Sequence, residues 1–168
     1  MMLINIIGAS GAGKTTLANY LSRICRYPRS SIGHHRVMAV YDEDAWVMEE
    51  EAWQSFNYDC ENVKDLIITH SGLNGRWQKP DRNDMFTIKL TCTLEDAPKR
   101  ATPDKGQESI FRDCYGFQEL EDFVQYSHYA CKRLECDLEI DTSKHGKFVT
   151  LLIALFGILK WKVLRRNP

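Results

Sequence analysis

Apolar residues along this chain alternate between two rhythms. Short continuous runs are followed by stretches in which apolar positions recur three and four residues apart. Residues 3–7, Leu-Ile-Asn-Ile-Ile, form the first run. A nearly unbroken, isoleucine-rich run of this length predicts a buried strand of a parallel sheet. Residues 15–23 then place Leu17, Ala18 and Leu21 on one face and predict a helix. Residues 26–35, with Tyr27-Pro28 and a Ser-Ser-Ile-Gly-His-His stretch, predict a loop. Residues 36–41 predict the second strand, closed by Asp42-Glu43-Asp44. Residues 45–56 predict a helix carrying Trp46, Trp53 and Phe56. Further strands are expected at 65–70, 86–92 and 138–140. A short helix is expected at 95–100 and a long one at 119–135, with Leu120, Phe123, Val124, Ala130 and Leu134 inward. A final helix starts at about Gly146. Strands alternating with helices imply an α/β fold, a three-layer α/β/α sandwich around a parallel sheet. At 168 residues the chain holds one domain, 1–168.

Between the first strand and the first helix, residues 8–15 read Gly-Ala-Ser-Gly-Ala-Gly-Lys-Thr. This is G-x-x-x-x-G-K-[ST], the phosphate-binding loop of nucleoside triphosphate enzymes, in the strand-to-helix context its chemistry needs. The glycines Gly8, Gly11 and Gly13 let the backbone close round an anion. The amides of Ser10, Ala12 and their neighbours then point at the β-phosphate together with the helix N-terminus. Lys14 is placed to reach the β- and γ-phosphates, Thr15 to hold Mg²⁺ through its hydroxyl, and Thr16 to help at the α-phosphate.

Charge and composition narrow the reading. The net charge of −1 supplies no global basic field, so nucleic acid is not an expected partner. Six cysteines occur at 25, 60, 92, 114, 131 and 136 without a CxxC pair, and no common zinc spacing is present. They read as reduced, structural thiols of a cytoplasmic protein. The N-terminus lacks a charged leader and cleavage site, so no signal peptide is expected. Residues 148–159 are almost wholly apolar and are followed by Lys160, Lys162, Arg165 and Arg166. Twelve residues fall short of the roughly 20 that span a bilayer. The expectation is a helix buried against the sheet, with membrane-surface attachment as the alternative. His34, His35 and His145 read as loop histidines, and His70 as a strand-end histidine satisfied by backbone. Oligomeric state leaves no mark in the sequence.

Three features together resemble the small P-loop kinases: shikimate, gluconate and adenylylsulfate kinases and the nucleoside monophosphate kinases. They are the loop at 8–15, the acidic Asp42-Glu43-Asp44 after the second strand, and Ile140-Asp141-Thr142-Ser143 before the last helix. The resemblance implies a five-stranded parallel sheet of order 2-3-1-4-5, a lid at about 101–117, and ATP with Mg²⁺. It also implies roles for particular residues. Asp42 or Asp44 would orient the acceptor or hold Mg²⁺ through water. Arg76 would clamp an anionic acceptor. Arg100 would stack on adenine or touch the phosphates, and Arg112, with Lys105, would close on the transferring group. The expected function is ATP-dependent phosphoryl transfer to a small molecule, with a (deoxy)nucleoside monophosphate as the leading acceptor. A shikimate- or gluconate-like hydroxyl metabolite is the first alternative. A nucleotide-binding regulator with slow hydrolysis is an alternative of another class.

Overall fold

The computed structural model describes residues 1–38, 44–71, 77–101 and 112–166. Its centre is β1 (Met2–Gly8), in which every residue is buried. Parallel neighbours flank it on both sides: β3 (Asp65–His70), with Ile4 beside Ile67, and β4 (Met85–Thr91), with Ile4 beside Phe86. β2 (Arg29–Ser31) pairs with β3 at one edge and β5 (Leu138–Asp141) with β4 at the other. The order is therefore 2-3-1-4-5, all parallel, as expected. A strand bonded on both edges and covered on both faces has no solvent side, which is why β1 reads as a continuous apolar run.

The two faces carry separate cores. Met2, Ile4, Ile6, Phe86, Ile88 and Leu90 face α1 (Lys14–Cys25) and α6 (Lys147–Arg166), meeting Leu17, Leu21, Leu151, Ala154 and Ile158. Leu3, Leu66 and Ile68 face α3 (Ala45–Asn62), meeting Ala52, Trp53 and Phe56. α2 (Ile32–Met38) packs on α3, and α5 (Leu120–Cys131) packs on β1 and on the short α4 (Asp96–Arg100). A helical turn spans 112–115.

Two expectations are corrected. The second strand is not 36–41 but Arg29–Ser31, inside the segment read as a loop. Its residues are polar because it is an edge strand, held by backbone pairing and not by apolar packing. Side chains then tie it to the helix layer. The Ser30 hydroxyl donates to Asp59 (3.1 Å) and meets His35 Nε2 at 2.7 Å. Arg36, Val37 and Met38 belong to α2, where Arg36 is buried while Val37 and Met38 are exposed. Residues 39–41 lie outside the described residues.

The second correction concerns the C-terminal segment. α6 buries only one face, Thr150, Leu151, Ala154 and Ile158, and leaves Phe148, Val149, Leu152, Phe156 and Leu159 exposed. The sheet can accept one stripe of a helix laid along it, whatever the composition of the opposite stripe. No helix among the described residues is long and apolar enough to cross a membrane.

Candidate active site

The turn after β1 is built on backbone geometry that only glycine adopts freely. Gly11 has φ +79°, and a Cβ there would stand 2.1 Å from the Ala97 carbonyl oxygen of α4. Gly13 has φ +91° and begins α1 as its N-cap with no side-chain cap. The first amides of α1 are therefore not covered by a capping side chain, which makes that helix end an anion site. The loop is braced from outside. Thr142, just past β5, donates its hydroxyl to the carbonyls of Ala12 (3.2 Å) and Thr91 (3.0 Å). Ser127 of α5 accepts the Ser10 amide (3.2 Å).

Lys14 turns its ammonium back onto the Ala9 carbonyl at 2.7 Å. Burial pulls its pKa below the usual lysine range. A cation that is poorly solvated and held by a carbonyl dipole is suited to an arriving anion. The residues fit ATP and Mg²⁺ on these observations: an uncapped helix end, an inward ammonium, and Thr15 exposed on the first turn where it borders the cleft.

The cleft above the loop measures about 750 Å³. One side is formed at the carboxyl ends of β2 and β3 by Ser31, Gly33, Arg36, Thr69 and His70. The other is formed by Arg100, Ala101, Thr142, His145 and Lys147. Lys14, Arg36, Arg100 and Lys147 bring four cations to its lining, and among the described lining residues there is no Asp or Glu. Thr16 also lines it.

Arg36 is held from behind. Glu49 of α3 is fully buried and takes Arg36 Nε (2.6 Å) and Nη2 (2.5 Å) in a two-pronged pair. It also accepts the indole N–H of Trp53 (2.8 Å) and the hydroxyl of Tyr115. Burial by itself would push the Glu49 carboxyl up. The Arg36 hydrogen bonds and charge, with Tyr115 and Trp53, outweigh it and hold the carboxyl below its usual range. His70 lies against Trp77, with ring centroids 4.4 Å apart, and meets Asn5 Oδ1 through Nε2 at 3.0 Å. An amide oxygen accepts only, so Nε2 carries a proton. Burial, helped by the Lys14 charge, pushes the His70 pKa down to about 3, and the ring is neutral. The Asn5 side chain is thus one of its hydrogen-bond partners.

The predicted site residues divide into those brought together and those not. Ser10, Gly11, Ala12, Gly13, Lys14, Thr15, Thr16 and Arg100 line one cleft, and Gly8 ends the strand that leads into it. Arg100 bonds Thr142 at 3.4 Å and pairs with Asp96 at 3.2 Å. Asp44 is the exposed N-cap of α3, accepting the Trp46 amide at 2.8 Å, and stands apart from the cleft lining. Asp44 follows α2 and does not come directly after the second strand. Arg112 sits on the 112–115 turn, paired with Asp113 at 2.9 Å, also apart from the lining. Asp42, Arg76 and Lys105 lie outside the described residues, as does 102–111 of the lid segment. Arg36 and Glu49 were missed. Arg36 opens an apolar run that imitates a strand, and Glu49 stands in a Glu-Glu-Glu run that imitates a solvated face.

No protein-family model and no curated protein matches the chain. Solved structures do match it, over almost its whole length. A gluconokinase from Sinorhizobium meliloti 1021 superposes with a TM-score of 0.66 at 14% identity, covering 99% of this chain and 98% of that one. A shikimate kinase from Acinetobacter baumannii in complex with shikimate gives 0.72 at 16% identity, covering 96% and 95%. A sugar kinase from Janibacter sp. HTCC2649 gives 0.57 at 17% identity, covering 94% of each. With the strand order, the loop after β1 and these superpositions together, the fold of this chain is that of the small P-loop kinases.

Proposed function

We propose that the protein is an ATP-dependent kinase that passes the γ-phosphoryl group to a small anionic acceptor seated beside Arg36. The observation that carries this reading is the charge of the cleft: four cationic side chains and, among the described lining residues, no carboxylate. Phosphoryl transfer between two anions is mostly a problem of positioning and charge neutralisation. Lys14 and the N-terminus of α1 would take the β- and γ-phosphates. Arg100 would act at the nucleotide side, and Arg36 at the acceptor side. Mg²⁺, held by Thr15, would neutralise charge on the transferring oxygens. Glu49 fixes the plane of the Arg36 guanidinium, and a fixed fork suits a phosphate or carboxylate. Arg76 as a second acceptor clamp and Arg112 as a closing group belong to the same proposal.

A phosphate acceptor, such as a nucleoside monophosphate, is already ionised and needs no general base. That agrees with a lining that has no Asp or Glu among its described residues and whose His70 has a pKa pushed down to about 3, too weak a base for the task. A hydroxyl metabolite bearing a carboxylate is the second reading. It is favoured by the shikimate kinase and gluconokinase neighbours, and it would need Asp42 or Asp44 to approach and orient the hydroxyl.

Incubating the protein with γ-labelled ATP, Mg²⁺ and a panel of nucleoside monophosphates, sugar acids and hydroxy acids tests these readings. Label on a nucleoside monophosphate supports the first reading. Label on a hydroxyl metabolite selects the second. Slow release of inorganic phosphate with every acceptor would replace both with a nucleotide-binding regulator.

A further inference from the structure

α6 lays one stripe on the sheet, and its opposite stripe is unlike the rest of the surface. Phe148, Val149, Leu152, Phe156, Leu159 and Val163 are between 44% and 71% exposed. At about 100° per residue these six fall within an arc of roughly 100° on the helix. They run most of the length of a 20-residue helix, about 30 Å. Lys160 and Lys162 flank the arc on its two sides, and Arg165 follows it. α1 packs beside α6 on the same face of the sheet and presents Arg23, Ile24 and Arg26 to solvent.

The charge of this layer is one-sided. α1 and α6 together hold seven of the chain's 22 Lys and Arg and none of its 23 Asp and Glu. A net charge of −1 therefore hides a strong separation. The rest of the chain carries every acid, and both helices on this face carry none. A second copy of the same face would bring cations against cations with no acid to pair them. Nucleic acid would satisfy the charge but not six exposed apolar side chains, two of them phenylalanines. A surface that is anionic at the level of Lys160, Lys162 and Arg165 and apolar just beneath satisfies both.

We infer that α6, with α1 beside it, is a docking face for an anionic lipid surface. The helix lies in the plane of the interface, with its apolar arc entering the headgroup and upper acyl region. It does not span the bilayer. The cations on either side contact headgroup phosphates or carboxylates. The inference stands apart from the kinase reading, because none of the residues that it uses is assigned a role in catalysis.

Sedimentation of the full chain with vesicles tests it. One set contains phosphatidylcholine with about a third phosphatidylserine, and the other phosphatidylcholine alone. The protein is expected to pellet with the anionic set and at least tenfold less with the neutral set, with the anionic binding weakened by salt. A Leu152→Glu, Phe156→Glu, Leu159→Glu variant alters only exposed positions. It should keep its circular dichroism spectrum and thermal midpoint and lose at least tenfold in vesicle partition. In a Phe156→Trp variant, bromine-labelled acyl chains should quench the new fluorescence. Equal pelleting of the wild type and triple variant would overturn the inference, as would no pelleting with anionic vesicles. It would also be overturned by a lipid-free dimer that the triple variant dissolves, which would assign the face to a second copy. Duplex DNA that bound as tightly as the vesicles and was insensitive to the triple variant would assign the charge to nucleic acid.

Discussion

The floor of the cleft and its Arg36 wall are made in opposite ways. The floor is eight consecutive residues, Gly8 to Thr15, whose work is done by backbone amides, one helix end and Lys14. Its geometry follows from local conformation, with Gly11 and Gly13 in the left-handed region. The wall is a cluster drawn from distant parts of the chain: Arg36 of α2, Glu49 and Trp53 of α3, and Tyr115 from the 112–115 turn. The floor places charge by turning the chain. The wall places charge by burying a carboxylate and making three side chains satisfy it. A buried ion pair adds little net stability over an apolar substitute, but removing one partner strands the other. The comparison teaches that damage to the floor should appear in the chemistry, and damage to the wall in folding.

The largest expected effect is therefore on turnover at the floor. Lys14→Ala removes the inward ammonium and leaves the loop amides in place. Phosphoryl transfer should fall by about a hundredfold or more, with the thermal midpoint little changed. Single-turnover rates beside a melting curve check this. Normal turnover would mean that the floor is not the reaction centre.

The wall should respond in stability. Glu49→Ala leaves the buried Arg36 guanidinium without its carboxylate, and about 3–5 kcal/mol should be lost in urea unfolding. Nucleotide affinity of the remaining folded fraction should hold within a few-fold. A variant as stable as the parent would show that Arg36 does not depend on Glu49, and the contrast with the floor would collapse.

His70 sits where wall and floor meet, and it predicts a pH effect of intermediate size. Its pKa lies near 3 in the folded chain, below the ordinary 6.5, so the unfolded chain takes the proton first. Stability should hold above about pH 6.5 and decline as pH falls through that value towards 3, by at most about 1.4 kcal/mol per pH unit from this group. His35 is also depressed, by burial, and adds to the same decline. Glu49 works in a lower window: its folded carboxyl is depressed, so its share is lost only below about pH 4.5. Urea titrations between pH 7 and 5 should show a shallower slope for His70→Gln. An unchanged slope would place the acid sensitivity elsewhere.

The smallest effect belongs to the brace between floor and sheet. Thr142→Val keeps the shape and removes the hydroxyl that bonds Ala12 and Thr91. About 1 kcal/mol of stability should go, together with a few-fold rise in KM for ATP. A change in the acceptor KM instead would mean that Thr142 serves the wall.

Much of this fold is legible from residues alone, and the limits are physical. β1, β3 and β4 are apolar runs because they are covered on both faces, so composition carries their state. The loop from Gly8 to Thr15 is legible because conformation, spacing and chemistry coincide within one turn. β2 is not legible. Arg29-Ser30-Ser31 has no strand character of its own and becomes a strand because β3 offers an unpaired edge. The segment Arg36-Val37-Met38 looks more like the start of a strand and is helical because α2 packs on α3.

The sequence by itself determined the sheet's central strands, the phosphate loop and the presence of an apolar C-terminal helix, since each depends on neighbours in the chain. The tertiary structure decided which one of three consecutive glutamates is buried, which arginine it holds at the cleft, and which face of α6 is left to solvent. Those outcomes depend on what stands opposite a side chain. For Glu49 that is Arg36, thirteen residues away, and Tyr115, sixty-six away, brought together only when the helices dock on the sheet.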